Sequence, residues 1–510
     1  MKEKILIIAV PVLDVENIPY GPAVLNGLLK TQNYRSMVWD LNIDLYQEYR
    51  DNWNEIVNLL GNRAYRPSEK NSLSVKSVLS KIRKLTRRKI EEVKPDSILL
   101  SVFSSQSLDA VIFLSSIIKE ISPNSYVLVG GRGLDNTERN TKLNYAEYYS
   151  HYLPVDCWYL GDAENKLIEV IESKPSGVFY SPPVNSNELE KTSAADWYGY
   201  TFEYYKGYAE QKIRMPITGS KGCVRQCTFC DVAGSWPKFI YRKGESLGKE
   251  IIDTYFRTGI NKFEFTDNLV NGSVTNFREM NTYIADRLPN TLDYKGYAIC
   301  RPKNTFPKSD FQLAKSAGAS LFKVGIESGS ERVRHDMKKK FSNEDIMWFS
   351  ENCYEQGIKQ LWLMFVGYPN ETEEDFQESI RLLKNHRHLN DNGNITVFLS
   401  LPMMLTSGSG FMRKYGSEYG LMHNNSDPWG DFFWTSKIYT DNTFAVRVSR
   451  WKRFTEAIIK YGYADEHTRQ AEKFLEIEGL EEIYKERYSS EKKVIPIHKS
   501  SVNINKETHV

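Results

Sequence analysis

Little in this chain points to a membrane, a disulfide framework or a nucleic-acid surface. No apolar run in the 510 residues approaches the roughly 18 needed to cross a bilayer. The eight histidines are scattered, and none stands at finger-like spacing from a cysteine pair. Lysine and arginine barely outnumber the acids, and a net charge of +2 gives no global pull toward nucleic acid or lipid. Cysteines number six, too few and too irregular for a disulfide scaffold, which predicts a reducing, cytoplasmic setting. The opening MKEKILIIAVPVLDVEN has a short apolar run soon followed by acids, the pattern of a first β-strand rather than a signal peptide. What remains is the composition of a soluble globular chain, 41% hydrophobic and 26% charged, long enough for two or three domains.

Apolar runs and helical patterns alternate along its first third. KILIIAVP (4–11), RSMVWDLN (35–42), DSILLSVFS (96–104), SYVLVGGRG (125–133) and the start of VDCWYLGDAENKLIEVIE (155–172) read as strands. A helix opened by Pro19 or Pro22 and another over 107–121 fall between them. Near-continuous apolar strands separated by helices predict a doubly wound, Rossmann-like parallel sheet over residues 1–175. A helix near residues 73–93 carries Val75, Val78, Leu79, Ile82 and Leu85 on one face and a run of Lys and Arg elsewhere. It reads as a docking helix with a solvated basic face in preference to a phosphate-tracking surface. Residues 176–210, rich in Pro, Ser and Asn without periodicity, read as a linker.

Alternation then resumes. Strands at 215–220, 262–267, 294–300, 321–328, 360–369 and 395–401, with helices such as 374–386, predict a partial (β/α)6 barrel over 211–404. Such a fold collects its chemistry at the C-terminal ends of its strands. Residues 405–510 read as an aromatic and mainly helical region with a polar tail at 486–510. Its stretch DPWGDFFWTSKIY (427–439) suits either a pocket wall or a satellite core.

Directly after the first barrel strand comes TGSKGCVRQCTFCDVAG, with Cys223, Cys227 and Cys230 spaced C-x3-C-x2-C. Thiolates select zinc, copper(I) or iron–sulfur clusters, and a structural zinc site would need a fourth ligand that the neighbourhood does not supply. A [4Fe–4S] cluster held by three cysteines leaves one iron open. Cys157, Cys300 and Cys353 occur singly and read as small buried apolar residues.

The triad, with Phe229 before its last cysteine, resembles the signature of the radical S-adenosylmethionine (radical SAM) enzymes. FEFTDN, AICRP, VGIESGSERV and FVGYPNETEEDF follow in the order found in that family, and the resemblance spans roughly 211–410. It implies a [4Fe–4S] cluster on Cys223, Cys227 and Cys230, with S-adenosylmethionine chelated to the fourth iron and cleaved to a 5′-deoxyadenosyl radical. It also implies S-adenosylmethionine contacts from Phe229, Thr266, Asp267, Arg301, Glu327, Ser328 and Gly367. Among these, Glu327 suits the ribose hydroxyls, Arg301 the methionine carboxylate and Asp267 the amino group, each with an ordinary salt-bridge or capping role as its alternative.

PYGPAVLNGLLK, ILLSVFSSQSLDA, VLVGGRG and LGDAENKLIEVI are similar, in order, to the cobalamin-binding domain that precedes the barrel in one large radical SAM class. The similarity implies a corrinoid over Ser101, Ser104, Ser105, Gly130, Gly131 and Gly133. The loop after the first strand holds Asp14 and Glu16 but no histidine to ligate cobalt, a departure from many cobalamin domains. The implied reaction is methylation of an unactivated carbon; the alternative is radical rearrangement, cyclisation or oxidation with a merely structural first domain. Sulfur insertion into tRNA belongs to a family whose N-terminal domain carries its own cysteines and whose C-terminal domain is a basic RNA-binding barrel, and neither is seen here. The implied partners are a small-molecule or peptide substrate and an external flavodoxin- or ferredoxin-like electron donor, with neither membrane nor nucleic acid.

Overall fold

Strand β1 (Lys4–Ala9), KILIIA, shows why the first sheet forms: five of its six side chains are buried, so both faces must be covered. It pairs in parallel with β2 (Arg35–Asp40) and β3 (Ser97–Ser101). Beyond β3 follow β4 (Tyr126–Gly130), β5 (Cys157–Leu160) and β6 (Gly177–Tyr180), giving the order β2-β1-β3-β4-β5-β6. Leu6, Ile8, Leu100 and Val129 pack on one face against helices that include Leu108–Ile121, whereas Ile5, Ile7, Leu99 and Leu128 pack on the other with Leu28, Leu29 and Val170. The helix Tyr20–Thr31 starts at Pro19, as expected.

The computed structural model describes residues 2–61, 74–134, 144–192, 194–230, 232, 236–405, 409–422, 434–464 and 468. The expected polar tail and residues 427–433 of the aromatic stretch lie outside them. Among the described residues no helix is long and apolar enough to cross a membrane. The chain divides into two compact units, Met1–Gln226 with Val232–Val324 and Trp348–Gln360, and Cys227–Asp231 with Gly325–Met347 and Leu361–Val510.

Within the first unit, residues 176–210 differ from the expected linker. Gly177–Tyr180 is the edge strand β6, and Ser186–Lys191 is a helix with a capping box from Asn185 and Glu188. The stretch that follows is bolted to the first helix. Asn26 donates to Asp196 at 2.8 Å, Lys30 pairs with it at 2.7 Å, and a Cβ on Gly27 would stand 2.1 Å from the Ala194 carbonyl oxygen. Proline and serine hide the apolar contacts made by Trp197 and Tyr200, so composition alone misled. The basic helix, Val75–Val93, buries Val78, Ile82 and Leu85, and three of its cations pair locally: Lys81 with Glu48, Arg83 with Glu120 and Lys89 with Glu92. It is a docking helix with a solvated face.

The second sheet comprises β7 (Met215–Ile217), β10 (Lys262–Phe265), β11 (Asp293–Ala298), β12 (Ala319–Glu327), β13 (Lys359–Met364) and β14 (Ile395–Leu399), in the order β14-β13-β12-β11-β10-β7. A short antiparallel pair, β8 (Ser220–Lys221) and β9 (Ile240–Tyr241), brackets the cysteine loop. Phe263, Phe265, Tyr294, Phe322 and Val324 are buried, with Phe322 near Phe277 and the Tyr294 hydroxyl on Asn281 of the helix Val274–Arg287. Cys157, Cys300 and Cys353 are buried, as expected of single cysteines. In the second unit, Trp434 packs with the buried Tyr368, Phe411 and Tyr419, so this tryptophan of the aromatic stretch is core.

Candidate functional site

Within the first unit, the strand ends hold the start of the cysteine loop. The Thr266 N–H donates to the Ile217 carbonyl at 2.9 Å, and its hydroxyl meets that of Thr218. Asp267 is buried, with one carboxylate oxygen accepting from the Gly219 N–H at 2.8 Å and the other from the Ser220 hydroxyl. It therefore clamps the turn leading to Cys223, and the helix behind it is capped by Ser273 instead. Asn268 donates to the Gly222 carbonyl at 3.1 Å. Gly222 has φ +78°, and a Cβ there would meet the Lys238 carbonyl oxygen at 2.4 Å, so the loop needs glycine. The Cys223 Sγ accepts from the Arg225 N–H at 3.4 Å. Arg301 donates to the carbonyls of Asn271 (2.9 Å) and Gly272 (2.5 Å), and burial and the nearby Arg225 charge hold its pKa below the usual arginine value.

Burial pushes the Asp267 carboxyl up to about 6 against the pull of its hydrogen bonds. A raised folded pKa gives stability that is full below the ordinary carboxylate value and is lost as pH rises through about 6. Asp267→Ala should flatten that loss. It should also cost roughly 1–3 kcal/mol by stranding the buried Gly219 N–H, read from urea midpoints at pH 4.5 and 7.

Within the second unit, Cys227 and Cys230 close a tight turn through a Cys230 N–H to Cys227 carbonyl bond of 3.2 Å. Its middle is pinned: the Thr228 N–H donates to the Met337 carbonyl at 3.1 Å, and the Thr228 and Tyr368 hydroxyls lie 2.9 Å apart. The Phe229 ring meets Phe365 edge to face at 5.4 Å. Glu327 ends β12 in the left-handed region, φ +66°, and its carboxylate takes the buried Lys339 ammonium at 2.8 Å. Lys339 also donates to the Gly325 carbonyl at 2.7 Å and lies 5.7 Å from the Phe229 ring centroid. Burial pulls the Lys339 pKa down, but the charges of Glu327 and of Cys227 and Cys230 as thiolates outweigh it and hold it above the ordinary lysine value. Ser328 is buried, its carbonyl accepting from Arg334 at 2.6 Å. Gly367 has φ +89°, donates to Glu371 at 2.8 Å, and would put a Cβ 2.4 Å from the Arg447 Cδ.

Sequence reasoning missed Lys339, Thr228 and Tyr368. Lys339 is the middle of Lys338-Lys339-Lys340, and nothing in such a run marks the buried member.

A cavity of about 760 Å³ opens wholly within the first unit, at the C-terminal edge of the first sheet. Ser101, Gly130 and Gly131 line it, together with Asp14, Thr218 and Thr266; Ser104, Ser105 and Gly133 do not. The glycines serve backbone packing there. A Cβ on Gly131 (φ +123°) would stand 2.2 Å from the Val102 carbonyl oxygen, and one on Gly133 would stand 2.5 Å from Ser104 backbone. Asp14 folds onto its own loop, accepting from the Glu16 N–H (2.9 Å) and the Asn17 amide (2.6 Å).

Among the described residues no three His, Cys, Asp or Glu side chains converge as a metal site, the Cys223, Cys227 and Cys230 triad included, and none of the six cysteines is in a disulfide. The donor chemistry nonetheless fits an iron–sulfur cluster: three partly exposed thiols on one loop, two of them on a pinned turn beside a buried ammonium that favours thiolate.

Residues 217–383 match the Radical SAM superfamily, for which a [4Fe–4S] cluster and S-adenosylmethionine are the implied cofactors. Among solved structures, the radical S-adenosylmethionine methyltransferase TsrM from Kitasatospora setae, with tryptophan substrate and a SAM analogue bound, has a TM-score of 0.62 and 16% identity, covering 91% of this chain and 90% of that one. The cobalamin-dependent S-adenosylmethionine radical enzyme OxsB, with aqua-cobalamin bound, has a TM-score of 0.52 and 14% identity, covering 82% and 56%. At these identities the likeness is one of fold. Curated relatives include a tRNA-2-methylthio-N(6)-dimethylallyladenosine synthase of Desulfotalea psychrophila, 24% identical over 35% of this chain and 42% of its own length. A putative methylthiotransferase of Methanocaldococcus jannaschii is 24% identical over 57% and 65%. The chain thus spans less than two thirds of either. Residues 217–383 thus match the Radical SAM superfamily, and the fold is like those of TsrM and OxsB.

Proposed function

We propose that this chain is a cobalamin-dependent radical SAM methyltransferase acting on an unactivated carbon of a small molecule. The observation that carries this reading is the cavity of about 760 Å³ at the C-terminal edge of the first sheet, the edge at which open α/β sheets take their ligands. Reductive cleavage of S-adenosylmethionine at a [4Fe–4S] cluster would supply the substrate radical, and a corrinoid the transferable methyl group.

The chain's own residues would do the holding. Cys223, Cys227 and Cys230 present three thiolates and leave one iron position unligated. Glu327, fixed by Lys339 through Oε1, keeps its second oxygen to accept from ribose hydroxyls. Arg301 and Arg225, both cationic and close enough to repel, would welcome the methionine carboxylate near them. Asp267 acts a step back, setting the cysteine-loop turn, while Thr266, Ser328 and Gly367 shape the strand ends. Ser101, Gly130 and Gly131 would lie under the corrinoid tail, on a floor where Gly131 packs main chain to main chain. Electrons would come from an external low-potential carrier.

The names of the curated relatives favour methylthiolation instead. Against that stands the first domain: its only cysteine, Cys157, is fully buried in β5, so it offers no second thiol triad. Protein refolded anaerobically with hydroxocobalamin should retain a corrinoid visible by absorption after gel filtration. A chain that keeps none moves the reading to radical chemistry without methyl transfer, with a structural first domain.

A further inference from the structure

Parallel strands are normally apolar on both faces, yet β10, β11 and β12 are so on only one. Their burial alternates, with one break at Ser320 and Leu321 in β12, and the positions on the open face include Glu264, Asp293, Lys295, Tyr297 and Lys323. These residues are built into layers. At the base, Arg214 grips Asp293 with two bonds of 2.9 Å. One layer up, Glu264 bridges two lysines, Lys323 at 2.5 Å and Lys295 at 3.1 Å. Tyr297 sits beside them, with its ring centroid 5.2 Å from the Lys323 Nζ.

Glu264, Lys323, Tyr297 and Arg214 all face the 760 Å³ cavity. The side chains are partly withdrawn from water, 19% exposed for Lys323 and 24% for Glu264. Desolvating so many charges costs stability that packing alone would not repay, and it is typical of a binding site. The count in these layers is also uneven, with Arg214, Lys295 and Lys323 against Asp293 and Glu264, while Lys262, beside Asp293, lies outside the cavity lining. Arg214 is matched by Asp293, so the surplus falls on the Glu264 node. Lys323 is the cavity-facing member there, with donors to spare beyond its bond to Glu264.

We propose that this open face of β10–β12 is a substrate subsite that takes the carboxylate of a small molecule on Lys323, with Tyr297 alongside the carbon skeleton. One surplus ammonium suits a monoanion; a phosphate would call for an arginine fork or a nest of backbone N–H groups, neither of which this face presents. The inference rests on the methyltransferase reading only in calling the ligand a substrate.

Benzoate and benzamide, equal in shape and different in charge, are the probes. Saturation-transfer NMR on the full chain should show benzoate bound roughly tenfold more tightly than benzamide, as one charge-assisted contact would give. The preference should shrink with added salt. Lys323→Met should abolish it, and Lys295→Met should weaken it. Glu264→Gln, which frees both lysines, should tighten benzoate severalfold. Variants are scored only where circular dichroism matches the parent, and either lysine variant alone is enough to decide. Equal binding of the two probes, a preference unchanged in Lys323→Met, or inorganic phosphate binding more tightly than benzoate overturns the proposal. None of these measurements needs S-adenosylmethionine or cobalamin. A chain that retains no corrinoid but prefers benzoate therefore loses the methyltransferase reading and keeps this one.

Discussion

Cys227→Ala should reduce anaerobically reconstituted iron from about four per chain to a small residue, and 5′-deoxyadenosine formation with dithionite to background. The reason is local. Cys227 and Cys230 are the two ends of one hydrogen-bonded turn, held from outside by Thr228 and Phe229, so neither cysteine can be replaced by a sulfur from elsewhere. Two thiolates are too few to hold a cubane that already leaves one iron without a protein ligand. The turn itself should survive, because its closing bond runs between backbone atoms. Cys353→Ala is the matched control. It removes a buried thiol remote in sequence from the loop and should leave iron and product unchanged at a modest cost in stability. Iron and 5′-deoxyadenosine at parental levels in Cys227→Ala would refute the assignment.

Lys339→Met should cost about 3 kcal/mol by urea unfolding, because it leaves the largely buried Glu327 carboxylate, 13% exposed, without its counter-charge. The same ammonium faces Cys227 and Cys230, so the variant should also load iron poorly, even at temperatures where it is folded. Glu327→Leu with Lys339→Met removes both charges together and should recover most of the stability without recovering iron loading. That split separates fold from site. A Lys339→Met chain as stable as its parent would mean the pair is solvated and contributes little.

The strands were legible because their apolar runs are long and their turns carry glycine or proline; β1, β3, β4 and the helix Leu108–Ile121 fall where the periodicity predicts. Residues 176–210 were not, since Pro and Ser stand between aromatic anchors whose partners lie far off in sequence, as with Tyr200 on Pro19. The cysteine loop declared itself by spacing. Its supports did not: Lys339 reaches Glu327 from twelve positions further on, at a place set by the short helix Glu331–Asp336 and the left-handed residues Lys338 and Lys340. Charges at alternate positions of KFEF and DYKGYA were visible in the sequence, but a strand read only for its apolar residues conceals them.

The cavity floor has one more consequence, and it concerns how this protein can change. Gly131, which lines the cavity, and Gly133, two residues on and outside its lining, leave no space for side chains because the loops after β3 and β4 touch main chain to main chain. Such a floor cannot be recontoured one residue at a time, since almost any substitution collides with the Val102 carbonyl or the Ser104 backbone. Variation in what the cavity admits must therefore come from its walls. A library aimed at new specificity belongs at positions such as Leu13, Leu25 and Tyr297, with the glycines left alone.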